Sequence, residues 1–155
     1  MEFRAVAKRF TQSLPATFVT TRQRIPNRHP PSQYARLMYG IPAGESFAFV
    51  EGHVLEQLCF GRDVLILKFD GNVSITVEGA LGITPPAADE SIVDDARDIV
   101  SVLVGLIADT VLAAEVNDAR SFSMTFSLCH IVRLIDSSER YESFQVRDGE
   151  RLIVV

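Results

Sequence analysis

The chain has 155 residues, 47% of them hydrophobic, with 15 basic and 20 acidic side chains and a formal net charge of −5. That length suits one domain with one core, and the apolar fraction is too high for intrinsic disorder. No apolar run approaches the roughly 18 residues that cross a bilayer, so no membrane helix is expected. The charge is unevenly divided. Residues 1–40 hold seven basic groups against Glu2 alone, a net +6, whereas residues 41–155 hold eight against nineteen, a net −11.

Cys59 and Cys129 are too few and too far apart for a disulfide scaffold, and their apolar surroundings read as those of buried free thiols in a reducing cytosol. The N-terminus has no apolar secretory core. A cytoplasmic location is therefore expected.

In chain order, Thr17–Thr21 is β-branched and predicts a strand. Pro26, Pro30 and Pro31 punctuate the basic stretch that follows, so residues 22–33 should be extended or loop. Gln33–Tyr39 predicts a short helix ended by Gly40. Residues 1–45 thus read as a basic, proline-containing arm and 46–155 as a β-rich domain. Within the latter, Phe47 and Phe49 predict one strand, and Val54 and Leu55 another, with Glu51-Gly52 between. Val64–Phe69 is dense in β-branched and large apolar residues. Asp70-Gly71 predicts a two-residue hairpin turn with positive φ at both positions. Val73, Ile75 and Val77 alternate with polar residues as in a half-buried strand.

A turn is expected between Leu81 and Pro86. Asp89 or Ser91 can then cap a helix near 90–107, because Ile92, Ala96, Ile99, Leu103 and Leu106 recur at helical steps. Asp94 and Asp95 would sit in its first turns, where the helix dipole favours acids. The most specific signal is internal. Shifted by 57 residues, Val54-Leu55 falls on Val111-Leu112, Leu65 on Phe122, Leu67 on Met124, Phe69 on Phe126, Ile75 on Val132 and Val77 on Leu134. Each copy reads as a three-stranded antiparallel meander. Tyr141–Val146, a turn at Asp148-Gly149 and Arg151–Val155 add a final hairpin. The expected fold is α+β, a mostly antiparallel sheet, curved or a partial barrel, built from two meander-like units with one covering helix.

Candidate chemistry is sparse. The glycines near Leu81 lack the spacing and lysine of a phosphate loop. His29, His53, His130, Cys59 and Cys129 form no close ligand pair except Cys129-His130, whose side chains point to opposite faces of a strand. No metal, cofactor or catalytic residue is assigned. The candidate partner-binding set is Asp89, Glu90, Asp94, Asp95 and Asp98, five acids in ten residues that could meet a basic partner if they share a helical face. Arg22, Arg24 and Arg28 lack aromatic interleaving, and the chain is acidic as a whole, which disfavours nucleic acid. The arm is expected to dock on its own acidic body or on a second subunit of a homo-oligomer.

Gly52, Val54, Leu65, Leu67, Phe69, Asp70 and Gly71, with Tyr141–Val146, form a pattern that resembles a family of small bacterial β-rich domains of unknown function. Those domains carry two such units, and similar ones encoded beside toxins are read as immunity proteins. The resemblance spans about residues 47–155 and brings no catalytic residues. It implies a non-enzymatic protein-binding module that neutralises a toxin. Two alternatives remain open on the residues: a ligand-binding or enzymatic β domain gathering His53, His130 or Tyr141 at the mouth of a curved sheet, and a structural or oligomerisation domain.

Overall fold

In a computed structural model of the protein, residues 40–155 are described. The expected arm strand at Thr17–Thr21, the extended stretch 22–33 and the helix at Gln33–Tyr39 lie outside them. Ten strands follow in order: β1 (Leu55–Phe60), β2 (Leu65–Phe69), β3 (Val73–Val77), β4 (Ala80–Thr84), β5 (Ser91–Val93), β6 (Val111–Asp118), β7 (Ser121–Phe126), β8 (Ile131–Ile135), β9 (Phe144–Asp148) and β10 (Arg151–Val154). A five-residue α-helix, α1 (Val100–Val104), continues a 3-10 helix at Ala96–Ile99. Every named strand pairing is antiparallel.

The strands form two five-stranded sheets with orders β1-β2-β3-β9-β10 and β5-β4-β8-β7-β6. Two meanders, β1-β2-β3 and β6-β7-β8, are thus each completed by the hairpin that follows the other one. β4-β5 leaves the first meander to join the second sheet, and β9-β10 leaves the second to join the first. The duplication read from the sequence is present in the registers. Leu65 opposes Val77 and Leu67 opposes Ile75, as Phe122 opposes Leu134 and Met124 opposes Val132. A bulge after Leu55 recurs after Val111, so the first strands are related by a shift of 56, and buried Leu55 matches buried Val111 rather than exposed Leu112.

The sheets do not close into a barrel, and among the described residues the one α-helix is only five residues long, its Leu103 joining the core. Side chains of both inner faces join that same core, which includes Leu67, Ile75 and Val146 from one sheet and Phe122, Met124 and Val132 from the other. Each sheet supplies the other's cover. The crossing from β3 to β4 takes only Glu78 and Gly79, whose N–H groups both donate to the Ser143 carbonyl (2.9 and 2.7 Å). A Cβ on Gly79 would stand 2.7 Å from that of Ser143 and 2.9 Å from the Ile135 carbonyl oxygen, so the crossing requires glycine.

Several local expectations fail for physical reasons. Residues 91–93 are strand, not helix: Ile92 and Val93 are β-branched, and β4 offers them a free ladder. The helix starts at Ala96, capped by Asp95, whose carboxylate accepts from the Arg97 N–H at 2.9 Å. Asp89 and Glu90 are not on it, and Ile92 is 58% exposed. Leu81–Pro86 is mostly β4 rather than a turn. Phe47 precedes and Phe49 lies within a 3-10 turn at Ala48–Val50, so neither starts a strand. The hairpin after β2 places its left-handed residues at Gly71 and Asn72, one step later than Asp70-Gly71, because Asp70 turns its carboxylate back onto His53 and Val54. Residues 40–45, assigned to the arm, pack with the body: Ile41 rests on the core and donates to the Ala119 carbonyl at 2.7 Å, and Glu45 pairs with Arg151 at 2.6 Å.

The two units meet along a short antiparallel bridge. Gly52 donates to the Val111 carbonyl (2.8 Å), Val111 to His53 (2.9 Å), Leu55 to Asp109 (3.0 Å) and Ala108 to Leu55 (2.7 Å). The bridge pair itself, Val54 and Thr110, consists of equivalent positions 56 residues apart, so a local two-fold runs between them. The preceding turns also match. Val50 donates to Phe47 and Glu51 to Ala48, as Leu106 does to Leu103 and Ile107 to Val104. The matching residues Phe47, Val50, Leu103 and Leu106 are all fully buried.

Both copies need one left-handed residue before the bridge. The first uses Gly52 (φ +83°) and the second Ala108 (φ +71°). Left-handed backbone costs a residue with a Cβ about 1–2 kcal/mol, offset in part by the lower chain entropy of alanine. Ala108→Gly should therefore stabilise the protein by about 0.5–1 kcal/mol. Gly52→Ala should destabilise by about 1 kcal/mol through conformation alone, since a Cβ there meets nothing within 4 Å. Urea denaturation midpoints measure both, and two shifts of the same sign would contradict the equivalence.

Candidate functional site

The acidic set does not share one helical face. Asp89 and Glu90 lie on the β4–β5 loop, Asp94 and Asp95 between β5 and the 3-10 helix, and Asp98 within that helix. Two of the five are internally neutralised. Glu90 holds Arg133 through two hydrogen bonds of 2.8 and 2.7 Å, lying over Gly82, the one residue of β4 with no side chain to exclude it. Asp95 takes Arg97 through three side-chain bonds of 2.6–3.0 Å. Those bonds and the Arg97 N–H hold the Asp95 carboxyl down at about 2. Asp89, Asp94 and Asp98 have no ion-pair partner among the described residues and are exposed. They surround β5, a sheet edge, with Ile92 at its centre, and the 3-10 helix packs against β4 and β5.

Two further polar centres flank the inter-unit bridge at equivalent places. In the first, His53 Nδ1 lies 2.6 Å from Asp70 Oδ1, which also accepts from the Val54 N–H at 3.1 Å. The hydrogen bond with His53 and that from Val54 hold the Asp70 pKa below the usual carboxylate value. In the second, Asp109 stands where His53 stood and Ser127 where Asp70 stood, and the Ser127 hydroxyl donates to Asp109. Asp109 also accepts from the Thr110 N–H (2.8 Å) and the Leu128 N–H (3.0 Å). Burial opposes its ionisation, but the bonds from Ser127, Leu128 and Thr110, with His130 nearby, outweigh that and lower its pKa.

Ser127, His130 and Asp109 have the composition of a hydrolytic triad but not its connectivity. The hydroxyl donates to the carboxylate rather than to the imidazole, and His130 Nδ1 is buried with no partner. A carboxylate held below its usual pKa is a poor base for activating serine. The centre is arranged to hold the β7–β8 turn. Cys129, in that turn at φ +63°, is exposed rather than buried, and Cys59 is half-buried on β1. His53, His130 and Tyr141 line none of the three grooves around Arg97, Lys68 and Arg120, and Tyr141 is 75% exposed. Among the described residues no cluster of three or more metal-ligating side chains occurs, and no helix is long and apolar enough to cross a membrane.

A third centre was not legible in the sequence. Asp136, 3% exposed, accepts from Ser143 Oγ (2.9 Å) and Arg120 Nε (3.1 Å), while its own N–H donates to the Arg120 carbonyl (2.7 Å). Ser143 Oγ in turn accepts from the Ser137 N–H at 3.2 Å. The network ties the β8–β9 connection to the β3–β4 crossing. Arg120, Asp136 and Ser143 are 7 to 23 residues apart, and only Ser143 falls in a segment that the sequence singles out, Tyr141–Val146.

No protein family, curated protein or solved structure matches the chain.

Removing Ser143 Oγ leaves a buried carboxylate short of a donor, which costs about 1–3 kcal/mol. Ser143→Ala should lower stability by that amount in denaturant unfolding; a change below about 0.5 kcal/mol would show that the network does not hold the crossing. The lowered pKa values of Asp70, Asp95, Asp109 and Asp118 have a common sign. A carboxylate whose folded pKa is depressed contributes stability above its ordinary value, and that stability is lost as pH falls through the folded value. Stability should hold above about pH 5 and decline between about pH 4 and pH 2. Asp109→Asn should lower the plateau and make the acid decline shallower, as followed by thermal unfolding across that range.

Proposed function

We propose that this protein is a non-enzymatic protein-binding module, of the kind of immunity protein that neutralises a bacterial toxin, acting in the cytoplasm. The observation that carries the reading is the β5 edge. Three carboxylates without ion-pair partners among the described residues, Asp89, Asp94 and Asp98, surround an edge strand with an exposed isoleucine at its middle. An edge strand offers main-chain N–H and C=O groups to an added strand, an apolar side chain supplies an anchor, and the acidic rim selects a basic partner.

The internal duplication supports this. β10 is the matching edge of the other sheet, and there Arg151 is paired with Glu45 and stacked over Phe49 at 5.3 Å. An acidic rim is therefore not a requirement of the fold at this place. The sequence resemblance to toxin-associated domains points the same way, and so does the net −11 of residues 41–155.

The test is co-expression with the product of the adjacent gene. A stable complex and rescue of growth are expected. Asp89→Asn, Asp94→Asn and Asp98→Asn combined should weaken the complex at least about tenfold, mostly through slower association, because rim charges act on encounter. Neither complex nor rescue would overturn the reading. A complex indifferent to the triple change would move the interface elsewhere on the body.

A further inference from the structure

Residues 41–155 contain eight basic side chains among nineteen acids, so each could find a carboxylate. Five do: Arg62, Arg97, Arg120, Arg133 and Arg151. Among the described residues Lys68, Arg140 and Arg147 have no ion-pair partner, and two of these three share one row of a sheet. The registers place Gln57 opposite Lys68, Lys68 opposite Ser74, and Ser74 opposite Arg147. Leu67, Ile75 and Val146, the neighbours on each strand, are core residues, so by strand alternation the row lies on the outer face.

Neighbouring strands stand about 4.8 Å apart, which puts Lys68 and Arg147 about 10 Å apart at the backbone with Ser74 between them. Side chains of that length can reach one anion above the serine hydroxyl. The row lies in an open groove of about 920 Å³ that Glu56 and Glu150 also line. Asp70 also lines it, but its carboxylate is committed to His53 and Val54.

The duplication supplies an internal control. The equivalent row of the other sheet is Ala113, Thr125, Ile131 and Thr84, with no charge in it. The fold therefore does not require cations at these positions. Neither charge is taken up in an ion pair among the described residues, and both are exposed, so both are open to an external anion.

We propose that this row binds a small ligand carrying a phosphate or carboxylate group next to an amine or hydroxyl. Lys68 and Arg147 hold the anion from either side, and Ser74 Oγ donates to it from below. Glu56 and Glu150 accept from the donor groups of the same ligand and turn away simple anions. Charge-assisted bonds of this kind are the stronger ones, and the guanidinium fork of Arg147 suits either anion. The site is independent of the β5 edge, which lies on the other sheet.

The full-length protein, labelled with ¹⁵N, is titrated with phosphoethanolamine and separately with β-alanine, which distinguish the phosphate from the carboxylate. Saturable shifts are expected at Gln57, Lys68, Ser74 and Arg147, with Ala113, Thr125, Ile131 and Thr84 unmoved. Lys68→Ala or Arg147→Ala should weaken binding at least about tenfold, as expected for one charge-assisted contact. Lys68→Arg should retain most of it. Both positions are exposed, so the variants should fold; Lys68→Gln and Arg147→Gln serve if either alanine variant does not. No saturable shift with either compound would overturn the proposal. So would binding that survives the double substitution.

Discussion

The antiparallel bridge between Val54 and Thr110 is the constraint on which the rest of the structure depends. Four backbone hydrogen bonds of 2.7–3.0 Å join equivalent segments of the two units there and fix the local two-fold between them. Once that relation is set, each meander faces the open side of the other. The two following hairpins then have somewhere to go. Without it, each three-stranded meander would expose its apolar face and end in an unpaired edge.

The exchange of hairpins explains how residues 40–155 build two layers with a single short α-helix among them. β9 pairs with β3 and β4 pairs with β8, so each sheet contains residues from both halves of the sequence. The core inherits that mixing. Phe47 of the first unit stacks on Phe122 of the second with centroids 4.1 Å apart, and Phe122 meets Phe144 at 5.6 Å. Polar groups guard the places where the chain changes sheets or units. Asp136 and Ser143 hold the crossing, while Asp70 and Asp109 hold the turns beside the bridge. The buried charges of the body are thereby accounted for by architecture, and functional readings fall on exposed groups that have no ion-pair partner among the described residues.

Duplication makes such groups visible. Where the two units agree, as in the turn before the bridge, the shared feature belongs to the fold. Where they differ, the fold is satisfied either way. The acidic rim of β5 and the cationic row across β2, β3 and β9 both fall in the second class, on different sheets and with opposite sign. The first would meet a basic protein and the second a small anionic ligand.

Much of this was written in the sequence in a form that periodicity can read. The strands of both meanders, their spacing and the final hairpin follow from alternation of apolar and polar residues, which depends only on neighbours along the chain. Within the segment 90–107 the helical steps hold only from Ala96 on, because at 91–93 the free ladder of β4 decides for strand. The acidic cluster was legible as composition, but not the pairing of Glu90 with Arg133, 43 residues away. Lys68 and Arg147 had no signal at all, since 79 residues separate two positions that one strand brings together. The sequence by itself determined the duplicated meanders and the division of charge, because both are local properties of the chain. The exchange of hairpins, the buried Asp136 network and the pairing of charges among the described residues were decided by tertiary structure, because each depends on contacts that form only when the two units close on each other.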